Sequence, residues 1–187
     1  MTNRFRTTNS TGLINKDKKI NFSFNGTIYQ GYEGDTLASA LIANGVHLVG
    51  RSFKYHRPRG FLGVGVEEPN AMVQLHDGNK SEPNIIATEV ELVEGLNAKS
   101  QNCWPSVQFD IGEINNVLNR FFPAGFYYKT FMWPKSFWMK IYEPFIRKAA
   151  GMGKAPLLPD PDRYEHNYEH CDVLVVGSGP SGLASAL

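Results

Sequence analysis

The sequence predicts an α+β chain that ends on the opening of a doubly wound α/β unit. Three observations carry that prediction. Ile20, Phe22 and Phe24 alternate with Asn21, Ser23 and Asn25, which is the period of a strand buried on one face. A helix-period stretch follows at Leu37–Ala43, after a turn and a second run of strand character. Near the other end, the apolar run Val173–Val176 leads into Gly177, Gly179 and Gly182 at G-x-G-x-x-G spacing.

The elements can be justified in order. Residues 1–16 are polar, with Thr7, Thr8, Asn9, Ser10 and Thr11 in a row, and read as a mobile arm that orders on a partner. The first domain spans residues 17–98. Asn25-Gly26 is the strongest short hairpin signal, and Thr27 to Tyr32 returns as the second strand. Asp35 is expected to cap the helix, its carboxylate accepting free N–H groups of the first turn. Leu37, Leu41 and Ile42 should form the apolar face, and Gly45 the stop. Ala71 to Leu75 and Ile85 to Leu92 read as further strands. A hairpin, a helix across it and more strands make a small α+β domain of the β-grasp kind.

Between helix and third strand lies a basic loop. Arg51, Lys54, His56, Arg57 and Arg59 fall together with no acid among them, interleaved with Phe53 and Tyr55. Two readings stand. The loop binds a phosphate or carboxylate, whose geometry suits arginine forks. Alternatively, it pairs with acids of its own or a neighbouring subunit, such as Glu67 and Glu68. Single-stranded nucleic acid is disfavoured, because the chain has 19 Lys+Arg against 18 Asp+Glu, a net charge of +1, and lacks a broad basic footprint. The next segment, Leu62 to Asn70, carries Gly63 and Gly65 and winds tightly. Such a loop wraps a metal–sulfide cluster when cysteines are present, and it has none.

Residues 99–170 form a connector with a heavy aromatic load, including Trp104, Phe109, Phe121, Phe122, Phe126, Tyr127, Tyr128, Phe131, Trp133, Phe137, Trp138, Tyr142 and Phe145. Ile114–Phe121 and Ser136–Ala150 are helical in pattern, and Pro144 should interrupt the second. The aromatic surface calls for a partner face, with an internal mini-core as the plainer reading. Gly153 to Tyr168, with Pro156, Pro159 and Pro161, reads as an exposed linker. His166 and His170 are four apart, but the prolines argue against the helix a metal pair would need, so no metal is expected. No nucleophile–base constellation emerges, and no catalytic residue is expected here.

Residues 171–187 contain the strand, glycine turn and helix start of a dinucleotide-binding unit. Gly177 permits the turn, Gly179 admits a pyrophosphate and Gly182 lets the helix pack closely. Backbone N–H groups across Gly177, Ser178, Gly179, Pro180, Ser181 and Gly182 (the proline excepted) would hold the phosphates. A full unit needs about 30 residues and an acidic residue about 20 positions further on. The sequence therefore reads as the front of a longer chain, and as it stands is expected to bind neither NAD nor FAD usefully.

Composition narrows the class. At 42% apolar and 20% charged the chain is not a disordered polymer. Two cysteines, Cys103 and Cys171, are too few for a disulfide scaffold or a four-thiolate centre. No run approaches the roughly 20 apolar residues of a membrane span, and no signal h-region is visible. The expectation is a soluble, cytoplasmic protein with free thiols and no membrane or nucleic-acid partner.

Longer strings support a resemblance. Gly34 to Val46 with the Arg51–Gly60 loop, Gly125 to Phe131, the segment from Tyr142 to Gly151 and the Cys171–Gly182 fingerprint resemble the α subunits of heterotetrameric sarcosine oxidases. The resemblance runs from about residue 16 to Leu187, and implies the amino-terminal region of a much longer subunit. It implies oxidative demethylation of sarcosine, a small amine, to glycine. Oxygen is reduced to hydrogen peroxide, and tetrahydrofolate can take the one-carbon unit. It implies NAD on the α subunit at Gly177, Gly179 and Gly182, FAD and FMN chiefly with the β subunit, and β, γ and δ partners. The first domain also resembles the 2Fe-2S ferredoxin-like domains of related amine and amino-acid dehydrogenases. That resemblance puts Leu62, Glu67 and Asn70 where those relatives place cysteines. A leucine cannot ligate iron, so a ferredoxin-like fold without an iron–sulfur cluster is expected. Other readings are a non-catalytic β-grasp adaptor and a subunit of a related dehydrogenase.

Overall fold

The structure is a computed structural model that describes residues 5–7, 12–121, 125, 131, 133–149, 153 and 156–187. β1 (Asn15–Phe24) and β2 (Thr27–Glu33) form the expected hairpin. Its turn puts Asn25 at φ 51° and Gly26 at φ 77°. Two successive left-handed residues match the right-handed twist of the flanking strands, which is why Asn-Gly is favoured there. Ile20, Phe22 and Phe24 enter the core, and Phe22 meets Tyr29 across the pair with ring centroids 5.8 Å apart.

The helix α1 (Leu37–Ala43) is capped one residue later than expected. Thr36 accepts from the Ser39 backbone N–H at 3.2 Å, and the Ser39 hydroxyl accepts from the Thr36 N–H at 3.0 Å. Asp35, buried just outside the helix, has a different task. It takes two hydrogen bonds from the Arg6 guanidinium (3.1 and 2.5 Å), one from the Tyr32 N–H (2.9 Å) and one from the Ser39 hydroxyl (2.7 Å). The buried face of α1 is Leu37, Ala38, Ala40, Leu41 and Ala43. Ile42, expected on that face, is 38% exposed, because it lies about 100° around the helix from Leu41. Gly45, at φ +79°, ends the helix and donates to the Ile42 carbonyl at 2.9 Å.

Two short strands, β3 (Gly50–Arg51) and β4 (Pro58–Arg59), pair as a separate ribbon. The main sheet adds β5 (Met72–Leu75), β6 (Glu82–Ile86) and β7 (Asn97–Ser100), in the order β2-β1-β7-β5-β6. β7 is central, parallel to β1 and antiparallel to β5. It carries the sheet past residue 98, and Asn-Ala-Lys-Ser gives no strand signal of its own. Ala98 is its one buried residue, and pairing on both sides makes it a strand.

The strand expected over Ile85–Leu92 ends at Ile86. Ala87, Val90 and Leu92 then turn into the core. This turn supplies acceptors for the start of α1: Leu37 N–H reaches the Val90 carbonyl at 2.8 Å and Ala38 N–H that of Ala87 at 3.0 Å. Helix-start donors have no partner within the helix, so the turn is held by their need.

Part of the arm is anchored rather than mobile. Phe5 N–H donates to the Ala43 carbonyl at 3.1 Å, its ring meets His47 edge-on, and Arg6 holds Asp35. In the connector, Ile111–Glu113 and Asn119–Phe121 are 3-10 turns around a short helix, α2 (Ile114–Val117). Lys135–Phe137 is a 3-10 turn and Trp138–Tyr142 a π turn, before α3 (Glu143–Ala149). The change of helix type falls beside Pro144, which lacks the N–H that an uninterrupted helix would need. Phe131 and Phe137 gather round Tyr142, whereas Trp133 is 83% exposed. The expected aromatic residues Phe122, Phe126, Tyr127 and Tyr128 lie outside the described residues.

Residues 156–170 are exposed. Val173 to Val176 is not a strand. No described residue pairs with it, and Val176 is 86% exposed. An apolar run of this type becomes a central strand only when neighbours flank it on both sides. α4 (Pro180–Ala186) does form, with Gly179 at its N-cap and proline in its first turn.

Replacing Asp35 with alanine should cost about 3 kcal/mol, since it strands the Tyr32 and Ser39 donors and the Arg6 charge. Asp17→Ala, on the exposed edge, should stay within about 0.5 kcal/mol of the unchanged protein. Urea unfolding midpoints measure both, and equal midpoints for the two variants would contradict the role given to Asp35.

Candidate functional site: the basic loop and the glycine loop

The β3–β4 ribbon presents the basic loop. Ser52 N–H donates to the Arg57 carbonyl and His56 N–H to the Ser52 carbonyl, both at 3.0 Å, closing the loop tightly enough to put His56 at φ 52°. Its five basic residues then divide. Arg51 is buried and points inward. Its Nε donates to the Val107 carbonyl (2.8 Å), Nη2 to that of Gln108 (3.1 Å), and Nη1 to that of His56 (3.1 Å) and to Glu113 (3.3 Å). His56 Nδ1 lies 2.6 Å from Asp110 Oδ2, while Asp110 Oδ1 accepts from the Trp104 and Gly112 N–H groups, each at 3.1 Å. The imidazole packs so closely on Gly112 that a Cβ there would fall 2.2 Å from Nδ1.

The remaining three face outward. Lys54 and Arg57 lie over the Tyr55 ring at 5.0 and 4.8 Å, an arrangement in which the ring quadrupole attracts cations. Arg57 Nε also donates to Asn116 at 2.8 Å, and Arg59 is exposed. A cleft of about 360 Å³ opens beside them, with Lys54, Arg59, Asn70, Asn84 and Asn102 in its wall. Acids do pair with this loop, but they are Asp110 and Glu113 of the connector, not Glu67 or Glu68. No local pattern announced this, because the partners lie 54 and 62 positions away.

Glu67 and Glu68 serve the glycine loop. Glu68 is only 3% exposed. Its Oε2 accepts from the Leu62 and Gly63 N–H groups at 2.6 Å each, and its Oε1 from those of Asn70 (2.7 Å) and Ala71 (3.3 Å). Glu67 takes Val64 N–H at 2.8 Å and Gly65 N–H at 3.1 Å. The Thr88 hydroxyl ties the Gly65 carbonyl at 2.8 Å. Burial alone would raise the Glu68 carboxyl, but the N–H groups of Gly63, Leu62, Asn70 and Ala71 outweigh it and hold the group below the usual glutamate range. This carboxylate was missed as a site residue; its one sequence signal was an acid between a glycine pair and a strand.

The other expected site is the glycine turn of residues 177–182. Gly177 is at φ +115°, and a Cβ on Gly182 would lie 2.0 Å from the Gly177 carbonyl oxygen. Nothing lies within 4 Å of a Cβ on Gly179, so that face is open. Ser178, Pro180 and Ser181 are exposed beside it. Cys103 is half-buried. Burial pushes its thiol up, Asp110 adds to the shift and Arg51 opposes it. His166 and His170 are exposed, and the described residues contain no group of three or more metal-binding side chains. No helix among them is long and apolar enough to cross a membrane.

Residues 17–103 match a family described as a 2Fe-2S iron-sulfur cluster binding domain. Over most of its length the chain is similar to proteins named sarcosine oxidase subunit alpha. It is 60% identical over 176 residues to "Sarcosine oxidase subunit alpha" of Rhizobium meliloti (strain 1021), which covers 94% of this chain and 18% of that protein. It is 31% identical to the subunit of the same name from Corynebacterium sp. (strain U-96), covering 92% of this chain and 13% of that protein. The chain thus spans less than a fifth of these relatives. Among solved structures it resembles the L-proline dehydrogenase of P. horikoshii, with a TM-score of 0.35 and 23% identity over 48% of this chain and 16% of that one.

The residues of this chain do not fit the cluster that the matched family's description implies. Its two cysteines, Cys103 and Cys171, both lie outside the glycine loop, and among the described residues no three His, Cys, Asp or Glu side chains gather where a metal ion could bind. Leu62 has no donor atom, and Glu67 already accepts two backbone N–H groups.

Two outcomes follow. Anaerobic incubation with iron and sulfide should leave no rhombic 2Fe-2S signal in electron paramagnetic resonance after reduction, and one stoichiometric signal would refute the donor argument. Because the Glu68 carboxyl is lowered on folding, its stabilisation is complete above the ordinary glutamate value of 4.5 and is lost as pH falls through the lower folded value. Unfolding midpoints between pH 6 and about pH 3 should therefore fall more steeply for the unchanged protein than for Glu68→Gln.

Proposed function

We propose that this chain is part of the α subunit of a multisubunit, flavin-dependent sarcosine oxidase. The observation that carries the proposal is the 60% identity extending over 94% of the chain. The reaction proposed is oxidative demethylation of sarcosine to glycine with formation of hydrogen peroxide and transfer of the one-carbon unit to tetrahydrofolate. A flavin held with the partner β subunit supplies the hydride acceptor for the N-methyl amine. The residues of this chain then have two tasks: assembly with β, γ and δ partners, and the start of an NAD site.

The assembly task is supported by exposed aromatic side chains on the connector, among them Trp104, Phe109, Phe121 and Trp133. Single exposed apolar residues are ordinary, but a series along one segment is what a covered surface needs. The outward cations Lys54, Arg57 and Arg59 add a rim suited to an acidic partner face or a phosphate, since exposed charges steer and orient more than they bind. The NAD task is supported by the Gly177–Gly182 turn, where Gly177 takes a φ of +115° that strains a side chain and a Cβ on Gly182 would lie 2.0 Å from the Gly177 carbonyl oxygen. Ser178, Gly179, Pro180 and Ser181 complete that turn in the proposal, with Gly179 as the point of close approach.

The complete gene, expressed with its partner genes, should give sarcosine-dependent hydrogen peroxide and purify with bound NAD. Gly182→Ala should lower the NAD content about tenfold or more, at unchanged flavin content, because the Cβ displaces the turn. Absence of peroxide with sarcosine would overturn the substrate, and undiminished NAD in the variant would overturn the NAD site.

A further inference from the structure

We propose that Glu68 is an internal anion that occupies the inner concavity of the glycine loop, the place a metal–sulfide cluster takes in cluster-binding domains, and that it keeps the loop folded in the cluster's stead. Four backbone N–H groups, from Leu62, Gly63, Asn70 and Ala71, converge on one buried carboxylate. Successive N–H groups turned into one concavity make an anion site, and this is how loops around iron–sulfur clusters present hydrogen bonds to the sulfurs. The matched segment, residues 17–103, includes the whole loop. Thiolate ligands are lacking at Leu62, Glu67 and Asn70, yet the N–H donors remain turned inward, and the one on buried Ala71 would be costly without a partner.

The side chain reaches inward from the loop itself. Each carboxylate oxygen serves one end of the loop: Oε2 takes positions 62 and 63, and Oε1 takes 70 and 71. The carboxylate thereby staples the two ends, as a cluster ligated from both would. Glu67 does not share this role, since it is exposed and serves Val64, Gly65 and its own N–H at the tip. A neutral side chain cannot replace Glu68 without loss. A glutamine would turn one acceptor into a donor facing two N–H groups, and an alanine would leave all four unsatisfied.

The test is residue-resolved hydrogen exchange, by electron-transfer fragmentation mass spectrometry, on the complete protein. In the unchanged protein the Leu62, Gly63, Asn70 and Ala71 amides should exchange more slowly than Val64 and Gly65. In Glu68→Ala they should exchange at least about tenfold faster, the ratio worth one charge-assisted hydrogen bond. Acetate, the fragment removed by that substitution, should restore part of the protection, and an equal concentration of acetamide should not. Equal protection of positions 62, 63, 70 and 71 in the unchanged and alanine proteins would overturn the proposal. So would rescue by acetamide as good as that by acetate. If Glu68→Ala does not fold, the comparison of the four amides with Val64 and Gly65 in the unchanged protein decides, and faster exchange at the four would overturn the proposal.

Discussion

Charges taken out of water must be matched bond for bond, and the fold is organised around where that matching is done. Asp35, Arg51, Glu68 and Asp110 are buried. Asp35 gathers the arm, the end of β2 and the first turn of α1. Arg51 and Asp110 bind the connector to the β3–β4 ribbon, and Glu68 closes the glycine loop. The apolar core of Phe22, Leu37, Leu41, Val73 and Leu92 supplies the driving force, but it does not say where irregular segments should run. The buried charges do, because losing one partner would leave a charge without water or a counterpart.

This division explains the character of the basic loop. Its density of cations invites a functional reading, yet Arg51 and His56 are spent on structure. A guanidinium with donors to three carbonyls and a carboxylate is a splice between segments distant in sequence, and it has little left for a ligand. Only Lys54, Arg57 and Arg59 are placed to meet something from outside. Two of these are already drawn over Tyr55. The proposed role at a subunit boundary therefore rests on the outer half of the loop, while its inner half sets the position of the connector.

Local signals were the legible ones. The hairpin could be read from Phe22, Phe24, Asn25 and Gly26 because neighbours in sequence decide it. The end of α1 could be read from Gly45 for the same reason. The cap was displaced by one residue because Asp35 and Thr36 are both good caps, and burial gave Asp35 to Arg6 instead. β7 was illegible, since Asn97, Lys99 and Ser100 become a strand only through partners far along the chain. At the site, charge could be read but direction could not: nothing local says that Arg51 turns in and Arg59 out. Glu68 was read as a partner for arginine, whereas the unmet backbone donors on its own loop claimed it. Val173–Val176 shows the converse, a strong strand signal without neighbours to realise it.

The parallel pairing of β1 with β7 carries a consequence for the order of events in folding. Ser23 sits opposite Asn97, so the central pair of the sheet closes a loop of 74 residues. The β1–β2 hairpin needs only its own turn and can form within microseconds, whereas the central seam must wait on the slow entropy of a long closure. On a ribosome, where residues emerge at about 5–20 per second, the hairpin and helix spend several seconds without the strand that completes their sheet. Until Ser100 is clear, β1 offers a bare edge next to Phe22 and Phe24. A strand edge left unpaired during synthesis is thus written into the topology rather than into any single residue.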